Sequence, residues 1–123
     1  MPNINFSFKD FQRLLGKRIS LSEFGELVTL YAKGELEAYN QDQVKVELDD
    51  TNMPYLWCVE GLARFFRGVL NIEKGLPKIK VTNSSNKILV DSNVKKVRPY
   101  IACFTAKGKI DNYLLEQLIQ FQE

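Results

Sequence analysis

The chain has 123 residues, of which 45% are hydrophobic and 26% charged, with a net charge of +2 and no histidine. That length and composition describe one globular domain, or one domain plus an extension, and argue against disorder or a dedicated electrostatic binder of nucleic acid. Without histidine there is no Ser-His-Asp or Cys-His arrangement, and two cysteines cannot build a zinc site alone.

The first predicted helix opens at Ser7 as N-cap, with Asp10 three residues on and Phe6 stapling onto Phe11. Phe8, Phe11 and Leu15 give it one apolar face, and Gly16 stops it. The second helix repeats the pattern, with Ser20 and Glu23 as a capping box and Ile19 and Phe24 as the staple. Phe24, Leu27, Val28 and Tyr31 line its inner face up to Gly34.

From Glu35 the period becomes two. Leu36 and Ala38, a turn at "NQDQ", then Val44, Val46 and Leu48 predict a hairpin with one solvated face. In "DTNMPYLWCVEGLARFF", Asn52 is the expected N-cap of a third helix, its side chain bonding the N–H of Tyr55, with Pro54 in the first turn. Leu56, Val59, Leu62, Ala63, Phe66, Val69 and Leu70 form a broad buried stripe. Gly61 in mid-helix predicts a close backbone approach, since glycine there costs about 1 kcal/mol against alanine.

After "KGLPK", Ile79 and Val81, "NSSN", then Ile88 and Val90 predict a second hairpin. Residues 98–106, "RPYIACFTA", predict a strand buried on both faces. Asp111 is the expected cap of a last helix, with Leu114, Leu115, Leu118 and Ile119 as its apolar residues. Helices and strands interspersed without a βαβ rhythm predict an α+β fold. Three helices and a hairpin also suit a winged-helix-like arrangement, followed by the start of a second β-containing region.

No phosphate loop of the Walker or dinucleotide type is present. Glu35 with Glu37, and Asp49 with Asp50, could do acid–base work or hold Mg²⁺, but acids at strand ends more often form a solvated edge. Glu60 and Arg64 have the i, i+4 spacing of a helix-supporting pair. Candidate RNA or partner contacts are Arg64 and Arg67 on the third helix and the basic run Lys95, Lys96 and Arg98. Cys58 and Cys103 read as reduced, buried small hydrophobes. No apolar run reaches the roughly 20 residues of a membrane-spanning helix, and the N-terminus lacks the regions of a signal peptide. The chain reads as a cytoplasmic protein beginning at its natural start.

Residues 48–64, "LDDTNMPYLWCVEGLAR", resemble the N-terminal region of the archaeal/eukaryotic-type phenylalanyl-tRNA synthetase beta subunit. "MPNINFSFKDFQRLLGKRISLSEFGELV", "LYAKGELEA", "LNIEKGLPKIKV" and "VRPYIACFTAKG" resemble further segments in the same order, so the resemblance covers essentially the whole chain. It implies that residues 1–91 form the first beta-subunit domain, an α+β module, and that residues 92–123 begin the editing domain. It assigns this chain no catalytic, cofactor or metal residue; ATP and Mg belong to the full synthetase. The implied partners are the alpha subunit and tRNA, with no membrane.

Asp50, Asn52, Pro54, Leu56, Glu60, Gly61, Ala63 and Arg64 fit the family pattern. Met53 and Tyr55 stand where the family usually has Arg and Asp, and they cannot make charge-assisted bonds. Two readings stay open: a synthetase fragment, or a free-standing relative that binds RNA or a protein. An unpaired strand and an apolar last helix also lead us to expect self-association.

Overall fold

The computed structural model describes residues 2–76 and 78–122. Its first element is a strand absent from the expected order. Ile4 and Phe6 are buried while Asn3 and Asn5 are exposed, and this period of two makes Asn3–Ser7 a strand, β1. The predicted helix follows at once as α1, Phe8–Leu15, with the Ser7 hydroxyl accepting the Asp10 N–H at 3.1 Å. Gly16 closes α1 in the left-handed conformation, as expected. Phe6 and Phe11 meet at 5.9 Å between ring centres, as the staple requires.

Helix α2, Leu21–Leu27, is capped by Ser20, whose hydroxyl accepts the Glu23 N–H at 3.1 Å. The chain then widens into a π-turn over Val28–Ala32. Widening moves the inward position along by one residue, so Ala32 is buried while Tyr31, expected inside, is exposed. Lys33, not Gly34, takes the left-handed stop.

Strands β2, Gly34–Asn40, and β3, Gln43–Leu48, form the predicted hairpin. β3 lies in the middle of an antiparallel sheet of order β1-β3-β2, with an irregularity between Leu36 and Ala38. Gly34 begins β2 because the strands converge there; a β-carbon on it would lie 2.4 Å from the Glu47 carbonyl oxygen. Helix α3, Val59–Val69, packs on α1. Phe6, Phe11, Phe24 and Phe66 meet largely edge to face at the centre of the core.

Helix α4, Asn112–Gln122, starts under Asp111 as expected, the carboxylate accepting the Leu114 N–H at 2.9 Å. Its orientation corrects the sequence reading. Leu115, Leu118 and Ile119 are exposed, and Gln117 is buried. The Gln117 side-chain amide donates to the Asn5 carbonyl at 3.3 Å. Gln120, with its amide turned to match, donates to that carbonyl and accepts the Asn5 N–H, both at 3.1 Å. An outer strand leaves backbone groups unpaired, and glutamine satisfies them where leucine cannot.

The chain divides into two units, 1–75 with 110–123, and 76–109. In the second, described residues form a 3₁₀ turn, Ser92–Lys96, capped by Asp91, and no strand. The hairpin expected around Ile79–Val90 and the strand expected over 98–106 are thus corrected, as is the burial of Cys103, which is exposed. A strand is stable only against neighbours that take up its backbone hydrogen bonds, and the described residues of this unit supply none. Within it, Asn86 donates to Thr105 Oγ1 at 3.2 Å. The fold is α+β, and the described residues form four α-helices and the three-stranded sheet.

Candidate functional site

The segment joining β3 to α3 carries the motif residues. The Asp50 carboxylate accepts the Asn52 N–H at 2.9 Å and the Lys33 ammonium at 3.4 Å. Those contacts, the backbone N–H first, hold the Asp50 carboxyl below its ordinary range. Asn52 therefore donates its own N–H to a turn and does not cap a helix. Pro54 opens a 3₁₀ turn, Pro54–Leu56, closed by Leu56 and Trp57 N–H groups bonding the carbonyls of Met53 and Pro54. The chain then extends at Cys58 before α3 begins at Val59.

This short detour brings the Tyr55 carbonyl across the first turn of α3. A β-carbon on Gly61 would sit 1.6 Å from that oxygen. The close approach expected at Gly61 is present, and its partner is the backbone of Tyr55. Met53 is half-buried against the core, whereas Tyr55 and Trp57 project outward on either side of buried Leu56. Cys58 is half-buried, and burial pushes its thiol pKa up, so it behaves as a packing group rather than a thiolate.

The basic candidates fall into different settings. Arg64 is exposed on α3, and among the described residues it forms no ion pair with Glu60, contrary to the expected helix pair. Arg67 turns inward: it donates to the Leu14 carbonyl at 3.4 Å and pairs with Glu73 at 3.0 Å, tying the end of α1 to the chain after α3. Lys95, Lys96 and Arg98 are exposed on or beside the 3₁₀ turn of the second unit.

Of the four acids singled out, Glu37 and Asp50 have polar partners among the described residues. Glu37 pairs with Lys45, Glu35 lies opposite Glu47, and the described residues contain no cluster able to hold a metal ion. Glu37 pushes the Glu47 carboxyl up, while Lys45 holds Glu37 down.

A further feature has no signature in the sequence. A groove of about 740 Å³ runs beside α1, lined by Lys9, Arg13, Lys17 and Arg18 with Tyr39 and Tyr113. Its two acids serve the fold. Asp10 is buried and holds Arg13 at 2.6 Å, and Asp42 caps α1. The four cations span ten residues of sequence, and nothing in the spacing announces that Tyr39 and Tyr113 join them.

Comparison with known proteins follows the chain end to end. No family model matches. The phenylalanine–tRNA ligase beta subunit of Pyrococcus horikoshii is 43% identical over 128 residues, covering 100% of this chain and 23% of the relative. The beta subunit of Methanosphaera stadtmanae is 35% identical over 124 residues, covering 100% and 22%. A crystal structure of an N-terminal fragment of the Pyrococcus horikoshii phenylalanyl-tRNA synthetase beta subunit superposes with a TM-score of 0.79 at 37% identity, covering 98% of this chain and 36% of that one. This chain is homologous to the N-terminal region of phenylalanine–tRNA ligase beta subunits. It spans less than a quarter of the length of the curated relatives it matches. The Asp50–Arg64 segment of this beta-subunit relative is thus a folded structural joint with an exposed aromatic pair. No helix among its described residues is long and apolar enough to cross a membrane.

Proposed function

We propose that this chain serves as a non-catalytic N-terminal module of a phenylalanine–tRNA ligase beta subunit, supporting assembly with an alpha subunit in cytoplasmic phenylalanyl-tRNA synthesis. The observation that carries this reading is the match of the whole chain, in sequence and fold, to the N-terminal region alone. Tyr55 and Trp57, exposed on a joint stiffened by the Gly61 contact, are suited to meet a neighbouring domain, because aromatic anchors on rigid backbone lose little freedom on binding. ATP and Mg are bound elsewhere in such an assembly.

The test is a chimera in which this chain replaces the N-terminal region of the Pyrococcus horikoshii beta subunit, coexpressed with the alpha subunit. Copurification is expected, and Tyr55→Ala/Trp57→Ala should reduce it while leaving the isolated module folded. A chimera that folds but never captures the alpha subunit would sink the proposal.

A second reading is favoured by the groove of α1: a synthetase-like chain that contacts RNA by itself. Cations beside tyrosines offer phosphate contacts and stacking surfaces. Binding should be weak with a shallow salt dependence, since few phosphates are neutralised. Removing Lys9 and Arg18 should abolish it, and tight binding that survives that removal would exclude the groove.

A further inference from the structure

The two edges of the sheet are treated differently. Gln117 and Gln120 of α4 occupy the edge of β1. Along the outer side of β2, no described strand pairs. Beside that open edge lies a mainly apolar cleft of about 750 Å³ walled by Leu21, Gly25, Leu30 and Leu36, with the polar Ser22, Glu26 and Thr29 among them. Leu36 pairs in register with Val46, a core residue, so the cleft continues the core layer one strand beyond the point where the sheet stops. Leu30 is 71% exposed there. The other face of β2 is acidic: Glu35 and Glu37 lie beside Glu47, with Lys45 as the paired cation.

An added strand that fits must therefore be apolar on one face and basic on the other. The chain contains such a run. Lys78, Ile79, Lys80 and Val81 alternate, belong to no strand, and leave Ile79 and Val81 75% and 85% exposed. Extended, the run places both lysines on one face and both apolar side chains on the opposite one.

We propose that residues 78–81 of a second copy of this chain add to β2 as a fourth strand, Ile79 and Val81 entering the Leu21–Leu36 cleft and Lys78 and Lys80 lying over Glu35 and Glu37. Main-chain hydrogen bonds to the open edge supply affinity, and the alternating side chains set register and partner. Each copy carries both the β2 edge and the 78–81 run, so donation can be mutual.

Sedimentation of the full chain over rising concentration, with amide exchange of β2 followed in parallel, tests this. The mass should rise to twice that of the monomer while the β2 amides gain protection. Ile79→Pro should leave a monomer, and Lys78→Glu/Lys80→Glu should weaken association about tenfold, with Glu35→Lys restoring part of the loss. A synthetic peptide of residues 76–83 should protect β2 and dissociate the pair. A monomer at every concentration, a dimer that persists in Ile79→Pro, or a peptide that leaves β2 exchange unchanged would each overturn the proposal.

Discussion

The carbonyl oxygen of Tyr55 occupies the space where Gly61 would carry a β-carbon, 1.6 Å from that position. Alanine at 61 forces the 3₁₀ turn off α3, and overpacking of this kind outweighs the helix propensity gained. Gly61→Ala should cost about 2 kcal/mol. Gly68, in the same helix, has nothing within 4 Å of its β-carbon position. Gly68→Ala should therefore stabilise by about 0.5–1 kcal/mol. Urea unfolding of the two variants separates the contact from propensity, because opposite signs are expected from the same substitution; equal shifts would refute the contact.

Asp42 links the hairpin turn to the start of α1. Its carboxylate accepts the Lys9 N–H at 2.9 Å and the Ser7 hydroxyl, while its own carbonyl accepts the Phe8 N–H at 2.7 Å. Ser7 in turn caps Asp10, so the helix start has two caps acting as one. Asp42→Ala and Ser7→Ala should each cost about 1–2 kcal/mol, and the double variant should cost less than their sum. Additive losses in a double-mutant cycle would show that the caps act separately.

The same two residues mark what the sequence revealed. Ser7, Asp10, Ser20 and Glu23 announced two helix starts because capping is local, decided within three residues. Asp42 stayed silent, because its role depends on a partner 33 residues away that only the sheet register brings near. α4 misled for a related reason. Its leucines form a conventional apolar face, but an unpaired β1 edge needs hydrogen bonds, and Gln117 and Gln120 took the inner position. Gly61 was legible as a close approach, whereas the detour through Cys58 that produces it was not.

Two carboxyl groups should give opposite slopes of stability with pH. Asp50 is held below its ordinary range, so its contribution is present above its unfolded pKa and lost as pH falls through the lower folded value. Glu47 is pushed up by Glu37, so folding favours its protonated form, and that contribution is lost as pH rises through the raised value. Asp50→Ala should weaken the fold near neutrality and converge on the parent in acid. Glu47→Gln should strengthen it near neutrality and converge likewise. Unfolding midpoints across a pH series check both, and parallel curves for variant and parent would contradict the assignment.

Arg64 and Arg67 are three residues apart on α3 and should respond differently to alanine. Arg67 bridges the half-buried Leu14 carbonyl and the exposed Glu73, so its loss leaves that carbonyl without its donor and should cost about 1 kcal/mol, little of it from the solvated Glu73 pair. Lysine should restore little of this, since one ammonium cannot reproduce the spread donors of the guanidinium. Arg64 is exposed, and Arg64→Ala should change stability by less than about 0.5 kcal/mol. Any effect of Arg64→Ala on RNA or subunit binding can then be read as contact, whereas an effect of Arg67→Ala must first be corrected for unfolding. Thermal unfolding of both variants decides the matter. A stable Arg67→Ala with weakened RNA binding would move Arg67 from the joint between α1 and α3 to the binding surface.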